Sequence, residues 1–336
     1  MNKPLKIGII GLGRFGRCYF KTFNQLDSAS VVWVCSAEEN DIKEALETVN
    51  NKSDIKTTVN YKDILNDKEV DAVAIITPGS THYSLTKEAL KSDKHVIVEK
   101  PLAFNSKNAE ELIVISDKKR KVLMAGHLHL FNPGIIKLKA DIKSGLFGKI
   151  NYIHSFGAGN GPIRLDMSAL WDYFPHDVSI LLYLLDECPL SLSVNGASYI
   201  NKGMEDLVTM DIKFPRNIFA TAIGTWLYPL KKRELVVVGE KLYAVFDDYA
   251  AKDKLRYYDM GNGDAQGKAA MGDNDYRAVD IEDTKPLTVQ LKHFLDCIQN
   301  NKDPLTSGKE ALEVVKVLEY AEKSLKNNGL VVEVPK

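Results

Sequence analysis

The first 125 residues alternate between short apolar runs and helical segments, and this alternation constrains the fold more than any other feature. Apolar runs that predict strands lie at residues 6–10, 31–35, 70–77, 95–98 and 122–125, with a weaker run at 57–59. Segments with helical periodicity lie between them, at 14–26, 41–49, 83–92 and 107–119. Strands that are apolar throughout and separated by helices are typical of a parallel sheet covered on both faces. The N-terminal part is therefore predicted to be an α/β domain, a doubly wound Rossmann sheet.

The pattern changes after Gly126. Helices are predicted at 132–144 and 174–185, strands at 190–199, 207–214, 218–226, 234–238 and 242–246, and two closing helices at 287–300 and 307–326. Strands joined by such short turns indicate a largely antiparallel sheet. We expect a dinucleotide-binding domain at 1–125 and, at 126–336, an α+β domain with a large, mostly antiparallel sheet for substrate binding and oligomerisation. The Asp- and Gly-rich stretch 259–275 is expected to be a surface loop.

Composition excludes several classes of protein. The chain of 336 residues has a formal net charge of −1, whereas a nucleic-acid binder normally shows a basic excess. No apolar run reaches the roughly 18–20 residues that a bilayer-spanning helix needs. The four cysteines are far apart, which is typical of reduced thiols in a cytoplasmic protein and not of a disulfide or zinc framework. We expect a cytoplasmic protein with no nucleic-acid or membrane partner.

A glycine-rich turn, GLGRFG, follows the first predicted strand directly. Gly11, Gly13 and Gly16 match the spacing in which the first glycine makes the turn, the second lets the backbone approach a pyrophosphate and the third lets the helix pack on the strand. The start of the following helix offers N–H groups to phosphate. We expect this segment, with Leu12, Arg14 and Phe15, to bind NAD or NADP. A purely structural glycine turn is the alternative.

The end of the second predicted strand bears on the choice between the two cofactors. NAD-binding domains usually carry an acid there that binds the ribose 2′-hydroxyl. Ser36 occupies that position, and acids follow only at Glu38 and Glu39. Serine tolerates a 2′-phosphate, but no arginine stands beside it to neutralise one. The choice stays open, and the two glutamates favour NAD.

Two strand ends carry polar residues that point to a ligand. The fourth strand ends in Ile76-Thr77-Pro78 and the fifth in Glu99-Lys100-Pro101. Ligands of such sheets bind outside the carboxyl ends of the strands, so both segments are assigned to the cofactor crevice. The proline biases Lys100 away from helical geometry, and an ammonium there could hydrogen-bond a sugar hydroxyl or the nicotinamide ribose. An ordinary exposed turn is the alternative.

The segment LWDYFPHDVSILLYLL carries a candidate acid–base pair. Asp172 and His176 are four residues apart at a predicted helix start, so both side chains can point the same way. Histidine suits proton transfer because its unperturbed pKa lies near neutral pH. The alternative is that Asp172 caps the helix and His176 packs beneath it. Asp177 is expected to be a first-turn charge that complements the helix dipole.

The chain resembles the Gfo/Idh/MocA oxidoreductases, relatives of glucose–fructose oxidoreductase and inositol dehydrogenase, over nearly its whole length. The resemblance rests on GLGRFG, TPGSTHYSLTKEALKSDKHVIVEKPLA, GHLHLFNP and WDYFPHD. It implies that Lys100 reaches the active site from a turn with a cis proline, and that Thr77 and His82 lie on the cofactor side. It also implies that His176 is the general base, while Asp172 contacts the sugar or orients the histidine. A loop cap and a helix-start histidine are the alternatives for Thr77 and His82.

Other residues give weaker signals. His127 and His129 have chelating spacing on a predicted strand, but no third ligand is apparent; no metal is expected, and His127 is assigned to the substrate. Many relatives have an arginine near His129, and this departure leaves the role of His129 open. Arg164 could bind an anionic group such as a nucleotide-sugar phosphate or a uronate, or lie on the surface. The run 231–233, Lys-Lys-Arg, is expected to be a solvated strand start.

Together these features predict an NAD(P)-dependent oxidoreductase that oxidises a hydroxyl, or reduces the ketone, of a sugar, nucleotide sugar or cyclitol by hydride transfer. His176 would be the acid–base residue and Lys100 would bind the reacting oxygen. The resemblance implies a homodimer or homotetramer through the C-terminal sheet. The alternatives are an NAD-dependent glycoside hydrolase, a non-catalytic NAD(P)-binding regulator, and reduction of a non-sugar carbonyl, an imine or an alkene.

Overall fold

A computed structural model describes residues 3–49, 54–161, 163–164, 166–259 and 275–335. Most of the stretch expected to be a surface loop, 259–275, lies outside these residues. The contacts within the chain divide it into two compact units, Met1–Phe131 with Lys285–Lys316, and Asn132–Thr284 with Val317–Lys336. The domains expected at 1–125 and 126–336 stay a prediction, while these contacts group Lys285–Lys316 with the N-terminal unit.

The N-terminal region alternates strands and helices. In chain order it contains β1 Leu5–Ile10, α1 Arg14–Phe23, β2 Ala29–Cys35, α2 Glu39–Leu46, β3 Lys56–Thr58, α3 Tyr61–Asn66, β4 Ala72–Ile75, α4 Gly79–Lys91, β5 His95–Val98, α5 Ser106–Lys119 and β6 Leu123–Ala125. A 3-10 turn, Leu128–Phe131, follows. The sequence did not predict α3, whose N-cap Asn60 accepts a hydrogen bond from the amide of Lys62.

The rest of the chain is built mainly of strands. It contains α6 Pro133–Lys143, β7 Ile150–Ala158, α7 Ala169–Leu185, β8 Ser191–Ala197, β9 Leu207–Phe214, β10 Ile218–Thr225, β11 Lys232–Gly239, β12 Leu242–Asp247, β13 Leu255–Asp259, β14 Arg277–Ala278, α8 Pro286–Asn300, α9 Gly308–Lys326 and β15 Val332–Glu333. Asn132 caps α6 by accepting from the amide of Gly134, with proline at the first helical position, as the sequence predicted.

The first unit is a six-stranded parallel sheet in the order β3-β2-β1-β4-β5-β6. The strand order reverses direction between β1 and β4, which places a crevice at their carboxyl ends. Side chains of α1 and α8, among them Phe20 and Phe294, pack on one face, and side chains of α4, α5 and α9 pack on the other. The predicted Rossmann sheet, buried on both faces, is confirmed.

The second unit is a nine-stranded sheet in the order β14-β13-β12-β11-β7-β10-β9-β8-β15. All neighbours pair antiparallel except β7 and β10, which pair parallel. Helix α7 packs on β7, β9 and β10. The mostly antiparallel sheet is confirmed. Across the described residues, no helix is both long enough and apolar enough to cross a membrane.

Candidate active site

The glycine-rich turn contains three glycines with three different surroundings. Gly11 has φ +98°, and a Cβ atom there would lie 2.2 Å from the carbonyl oxygen of Ile76. A Cβ atom on Gly16 would lie 2.1 Å from the carbonyl oxygen of Gly11, so helix and strand touch there. A Cβ atom on Gly13 would meet nothing within 4 Å among the described atoms. Glycine is therefore required at positions 11 and 16 by close contacts within the protein, whereas Gly13 faces open space among the described atoms.

This open space lies at the start of α1. Gly13 is the N-cap residue, no side chain caps the helix, and the first turn contains no acid. A helix start of this kind offers backbone N–H groups and a positive dipole to a phosphate. Leu12 is fully buried and its contact with the cofactor stays a prediction, while Arg14 and Phe15 are exposed. The turn therefore fits the pyrophosphate of a dinucleotide.

The carboxyl end of β2 contains an ion network that the sequence did not predict. Ser36 is buried and donates from Oγ to Oδ2 of Asp41, 3.2 Å away. Arg17, from α1, lies 3.5 Å from Oδ1 of Asp41 and donates to Glu44 over 2.6 Å. The expectation that no arginine stands beside Ser36 is therefore corrected: Arg17 lies one residue away through Asp41, but two carboxylates already neutralise it. Glu38 is exposed and is the N-cap of α2.

His82 connects the turns that follow β4 and β5. Its Nε2 lies 2.9 Å from the carbonyl oxygen of Thr77, and its Nδ1 lies 2.7 Å from that of Pro101. The ring is buried, so these contacts tie the two strand ends together. The hydroxyl of Thr77 lies 2.6 Å from that of Thr81, and exposed Pro78 is the N-cap of α4. The assignment of these residues to the cofactor stays a prediction.

The Glu-Lys-Pro turn follows β5, at the carboxyl edge of the parallel sheet. The bond between Lys100 and Pro101 is cis. Glu99 is buried and accepts from the Tyr19 hydroxyl over 2.7 Å and from the Lys100 amide over 3.2 Å. Burial raises the pKa of Glu99 and also that of Tyr19. Lys100 itself is half-buried. Glu99 therefore fixes the backbone from which Lys100 extends.

His127 lies just beyond β6 and not within a strand, because β6 ends at Ala125. His129 lies in the 3-10 turn, so the chelating strand geometry considered for the pair is wrong. His127 is buried, and its Nδ1 lies 2.7 Å from a carboxylate oxygen of Glu310. Its assignment to the substrate stays a prediction. In the part of the chain that the structure describes, no cluster of three or more histidine, cysteine or acidic side chains could hold a metal ion.

In the second unit, Asp172 and His176 lie on α7. The helix begins at Ala169, five residues before the predicted start at 174, and Pro175 lies inside it. Asp172 accepts a hydrogen bond from the Trp226 indole over 3.1 Å. The four-residue spacing places Asp172 and His176 on one side of the helix, as predicted.

Asp177 and Arg233 correct two expectations. Asp177 is not a first-turn charge: it is 1% exposed, accepts from Ser155 Oγ over 2.5 Å and lies 3.2 Å from Arg233 Nη1. Arg233 is not solvated, because its side chain is only 9% exposed. Tyr173 lies beside this pair, and burial, followed by the charge of Asp172, raises its pKa to about 12. Arg233 gave no signal of burial in the sequence, because it stands in the polar run 231–234, whereas the mostly apolar segment 178–185 that follows Asp177 was the one signal for that residue.

Arg164 is held by a near neighbour. Its Nε and Nη2 donate to the two carboxylate oxygens of Asp166, each over 2.9 Å. This bidentate pairing raises the pKa of Arg164. The planar fork that would bind an anionic substrate group is therefore already occupied, although the predicted substrate role is not tested.

Comparisons with known proteins identify the family of the chain. The model of the oxidoreductase family GFO_IDH_MocA with an NAD-binding Rossmann fold matches residues 5–127, and the model of the GFO/IDH/MocA C-terminal domain matches residues 135–245. The chain belongs to this family and is an oxidoreductase with an NAD-binding Rossmann fold. The predicted family membership is confirmed.

Three relatives show how far the similarity extends. The UDP-N-acetylglucosamine 3-dehydrogenase of Acidithiobacillus ferrooxidans is 25% identical over 305 residues, covering 90% of this chain and 92% of that protein. An oxidoreductase from Magnetospirillum magnetotacticum MS-1, known from a crystal structure, is 30% identical in sequence. Its TM-score is 0.82, and the match covers 94% of this chain and 99% of that one. A levoglucosan dehydrogenase in complex with NADH has a TM-score of 0.85 over 99% of this chain and 100% of that one, at 17% identity, which shows the shared fold alone.

Proposed function

We propose that the protein is an NAD-dependent dehydrogenase that oxidises a hydroxyl of a sugar, nucleotide sugar or cyclitol, or reduces the corresponding ketone. The observation that carries the proposal is that Lys100 and the pair Asp172 and His176 occur together in a chain whose glycine turn is open at Gly13. A module that only bound a dinucleotide would have no need of that trio. The relative named a UDP-N-acetylglucosamine 3-dehydrogenase supports a sugar substrate.

In this proposal each residue has one task. The imidazole of His176 takes the proton of the reacting hydroxyl, and gives it back in the reverse direction. The ammonium of Lys100 hydrogen-bonds the same oxygen and stabilises its developing negative charge. The carboxylate of Asp172, held by Trp226, positions the substrate or the histidine. When bound, the nicotinamide supplies hydride acceptance or donation.

The cofactor is proposed to be NAD and not NADP. A 2′-phosphate beyond β2 would approach Asp41 and Glu44, and Arg17 is already shared between these two carboxylates. Bringing a doubly charged group to this position would require that pairing to break. A neutral 2′-hydroxyl could instead donate to Asp41, as it does to the strand-end acid of other NAD domains.

The protein is also proposed to be a cytoplasmic homodimer or homotetramer. On β7 the residues facing α7 are buried, whereas Tyr152 and His154, on the opposite side of the sheet, are half-buried and stack with ring centroids 6.5 Å apart. Thr221 of the neighbouring β10 lies within hydrogen-bond distance of both. An aromatic surface of this kind is suited to pairing with a second copy. Sedimentation of Tyr152→Glu as smaller particles than the wild type would support this, and unchanged sedimentation would contradict it.

The test is nicotinamide absorbance on mixing the protein with NAD or NADP and a panel of sugars, cyclitols, uronates and nucleotide sugars. Lys100→Met should lose turnover, whereas Lys107→Met, an exposed lysine on α5, should keep it. Two further outcomes favour the alternatives. Release of an aglycone without net NADH would identify a glycoside hydrolase. Cofactor binding without turnover of any compound would favour a regulator or a substrate outside the sugars.

A further inference from the structure

Arg233 carries hydrogen-bond donors for which the described residues provide no acceptor. The residue is 8% exposed, and its Nη1 contacts both carboxylate oxygens of Asp177, at 3.2 and 3.4 Å. Its Nη2 is buried, and no described atom accepts a hydrogen bond from it. A buried donor without an acceptor costs about 1–3 kcal/mol, so such groups usually have a partner in the working protein. The two N–H groups of Nη2 therefore need an acceptor from outside the described chain.

The surroundings of Arg233 lie on the proposed catalytic helix. In the pairing of β11 with β7, Arg233 stands opposite Gly157. A Cβ atom on Gly157 would lie 2.5 Å from Arg233 Nη1 and 2.9 Å from Cδ1 of Tyr173, so the guanidinium and the phenol ring meet over this glycine. Tyr173 lies between Asp172 and His176 in sequence, on the same stretch of α7. The spare donors therefore lie next to Tyr173, on the turn of α7 that also carries Asp172 and His176, the residues that the proposed function assigns to the substrate.

We infer that Arg233 is a substrate-binding residue and that its Nη2 donates to an oxygen of the sugar or cyclitol. This inference rests on the proposed function and narrows its substrate class. The charge of Arg233 is already balanced by Asp177, and that of Arg164 by Asp166. Neither guanidinium therefore brings an unbalanced positive charge. An anion accepting from Nη2 would lie close to the buried carboxylate of Asp177 with no net positive charge on Arg233 to offset it, so the acceptor is an uncharged hydroxyl or acyl oxygen and not a carboxylate or phosphate.

The test exploits the difference between arginine and lysine. Removing the cation altogether would leave Asp177 charged and buried, and the protein could fail to fold. Arg233→Lys keeps a cation near Asp177 but removes the second nitrogen. We expect KM for the best neutral substrate to rise roughly 10-fold or more with kcat nearly unchanged, because a binding interaction is lost equally in ground and transition states. The Kd for NAD should stay within about twofold. Arg216→Lys, at an arginine 59% exposed in the same unit, is the matched control.

Deoxy analogues of the substrate identify the oxygen that Arg233 binds. The wild type should lose affinity for the analogue that lacks that one hydroxyl, and Arg233→Lys should show no further loss with it. Equal losses in both proteins for every analogue, or a fall in kcat with KM unchanged, would overturn the inference in favour of an internal water or a purely structural pair. A uronate turned over better than its neutral parent would also overturn it. Absence of turnover by the wild type would instead contradict the proposed function, which separates the two failures.

Discussion

The Tyr19 hydroxyl donates to the buried carboxylate of Glu99, 2.7 Å away and 80 residues along the chain. Tyr19 lies on α1, the helix that follows the glycine turn, and Glu99 precedes Lys100 in the turn after β5. A Cβ atom on Gly126 would lie 2.7 Å from Glu99 Oε1, so glycine is needed there to make room for the carboxylate. One hydrogen bond thus connects α1, the helix that follows the glycine turn, with the residue directly before the proposed catalytic lysine.

Replacing this phenol should make stability more sensitive to pH. Burial raises the pKa of Glu99, so the folded protein binds the proton more tightly than the unfolded chain does. The stability this confers is present below the unfolded value of 4.5 and is lost as pH rises through the raised pKa. The Tyr19 hydrogen bond opposes that rise, so Tyr19→Phe should raise the pKa further and lower the free energy of unfolding by about 1–3 kcal/mol near neutral pH. Urea unfolding from about pH 5 to about pH 8 measures this.

Glu99→Gln supplies the comparison. This variant removes the ionisable group, so the fall in stability with rising pH should flatten. If the free energy of unfolding of Tyr19→Phe changed with pH in parallel with that of the wild type, the pKa of Glu99 would not depend on the Tyr19 hydrogen bond.

Cofactor preference should respond to Asp41. Asp41→Asn removes one of the two carboxylates that hold Arg17, leaving that guanidinium more available to a 2′-phosphate. We expect the Kd for NADP to fall about 3–10-fold, because a charge-assisted contact is gained, while the Kd for NAD changes less. Isothermal titration with each cofactor measures this without turnover. Glu47→Gln, an exposed residue at the end of α2, should leave both values unchanged. If Asp41→Asn left the preference between NAD and NADP unchanged, the ribose 2′-group would not bind near Asp41.

The sequence predicted those features that depend on neighbouring residues. Five of the six strands of the first sheet and the glycine turn follow from local apolar runs and spacing, and β3 had only a weak signal. The partner of a charged residue is set by the fold instead: Arg17 lies 24 residues from Asp41, and Arg233 lies 56 residues from Asp177. Such pairs look like exposed charges until the strands and helices that carry them are placed.

The predicted start of α7 was wrong for a related reason. Proline favours the first turn of a helix, so Pro175 suggested a helix start near residue 174. The structure begins the helix at Ala169, and the backbone of Ala169 donates to Glu205 in the same unit. A contact with a distant segment, which local sequence does not reveal, sets where this helix begins.

Acid stability should depend on His95. Burial lowers the pKa of its imidazole to about 4, and its Nδ1 accepts from the Val122 amide over 3.0 Å. The folded protein therefore keeps the ring neutral, and this stability is present above the unfolded value of 6.5 and is lost as pH falls through about 4. On the order of 3 kcal/mol should be lost over this pH range. In His95→Asn the side-chain oxygen can accept from the same amide. The free energy of unfolding, measured by urea titration, should therefore fall less steeply at acid pH in this variant than in the wild type. An equally steep loss of stability at acid pH in the variant would show that His95 does not cause it.

The glycine turn offers a test that separates cofactor binding from folding. Gly13 has φ −58°, which alanine adopts, and its Cβ would meet no described atom within 4 Å. Gly13→Ala should therefore stay within about 1 kcal/mol of the wild-type stability, the loss expected because alanine is less favoured than glycine at an N-cap position. The added methyl group would stand where the pyrophosphate approaches, so the Kd for NAD should rise at least about 10-fold. Gly16→Ala should instead unfold at lower urea, because its Cβ would lie 2.1 Å from the Gly11 carbonyl oxygen. NAD titration and urea unfolding of both variants give four values. Wild-type NAD affinity in a stable Gly13→Ala protein would show that the dinucleotide does not bind at this turn.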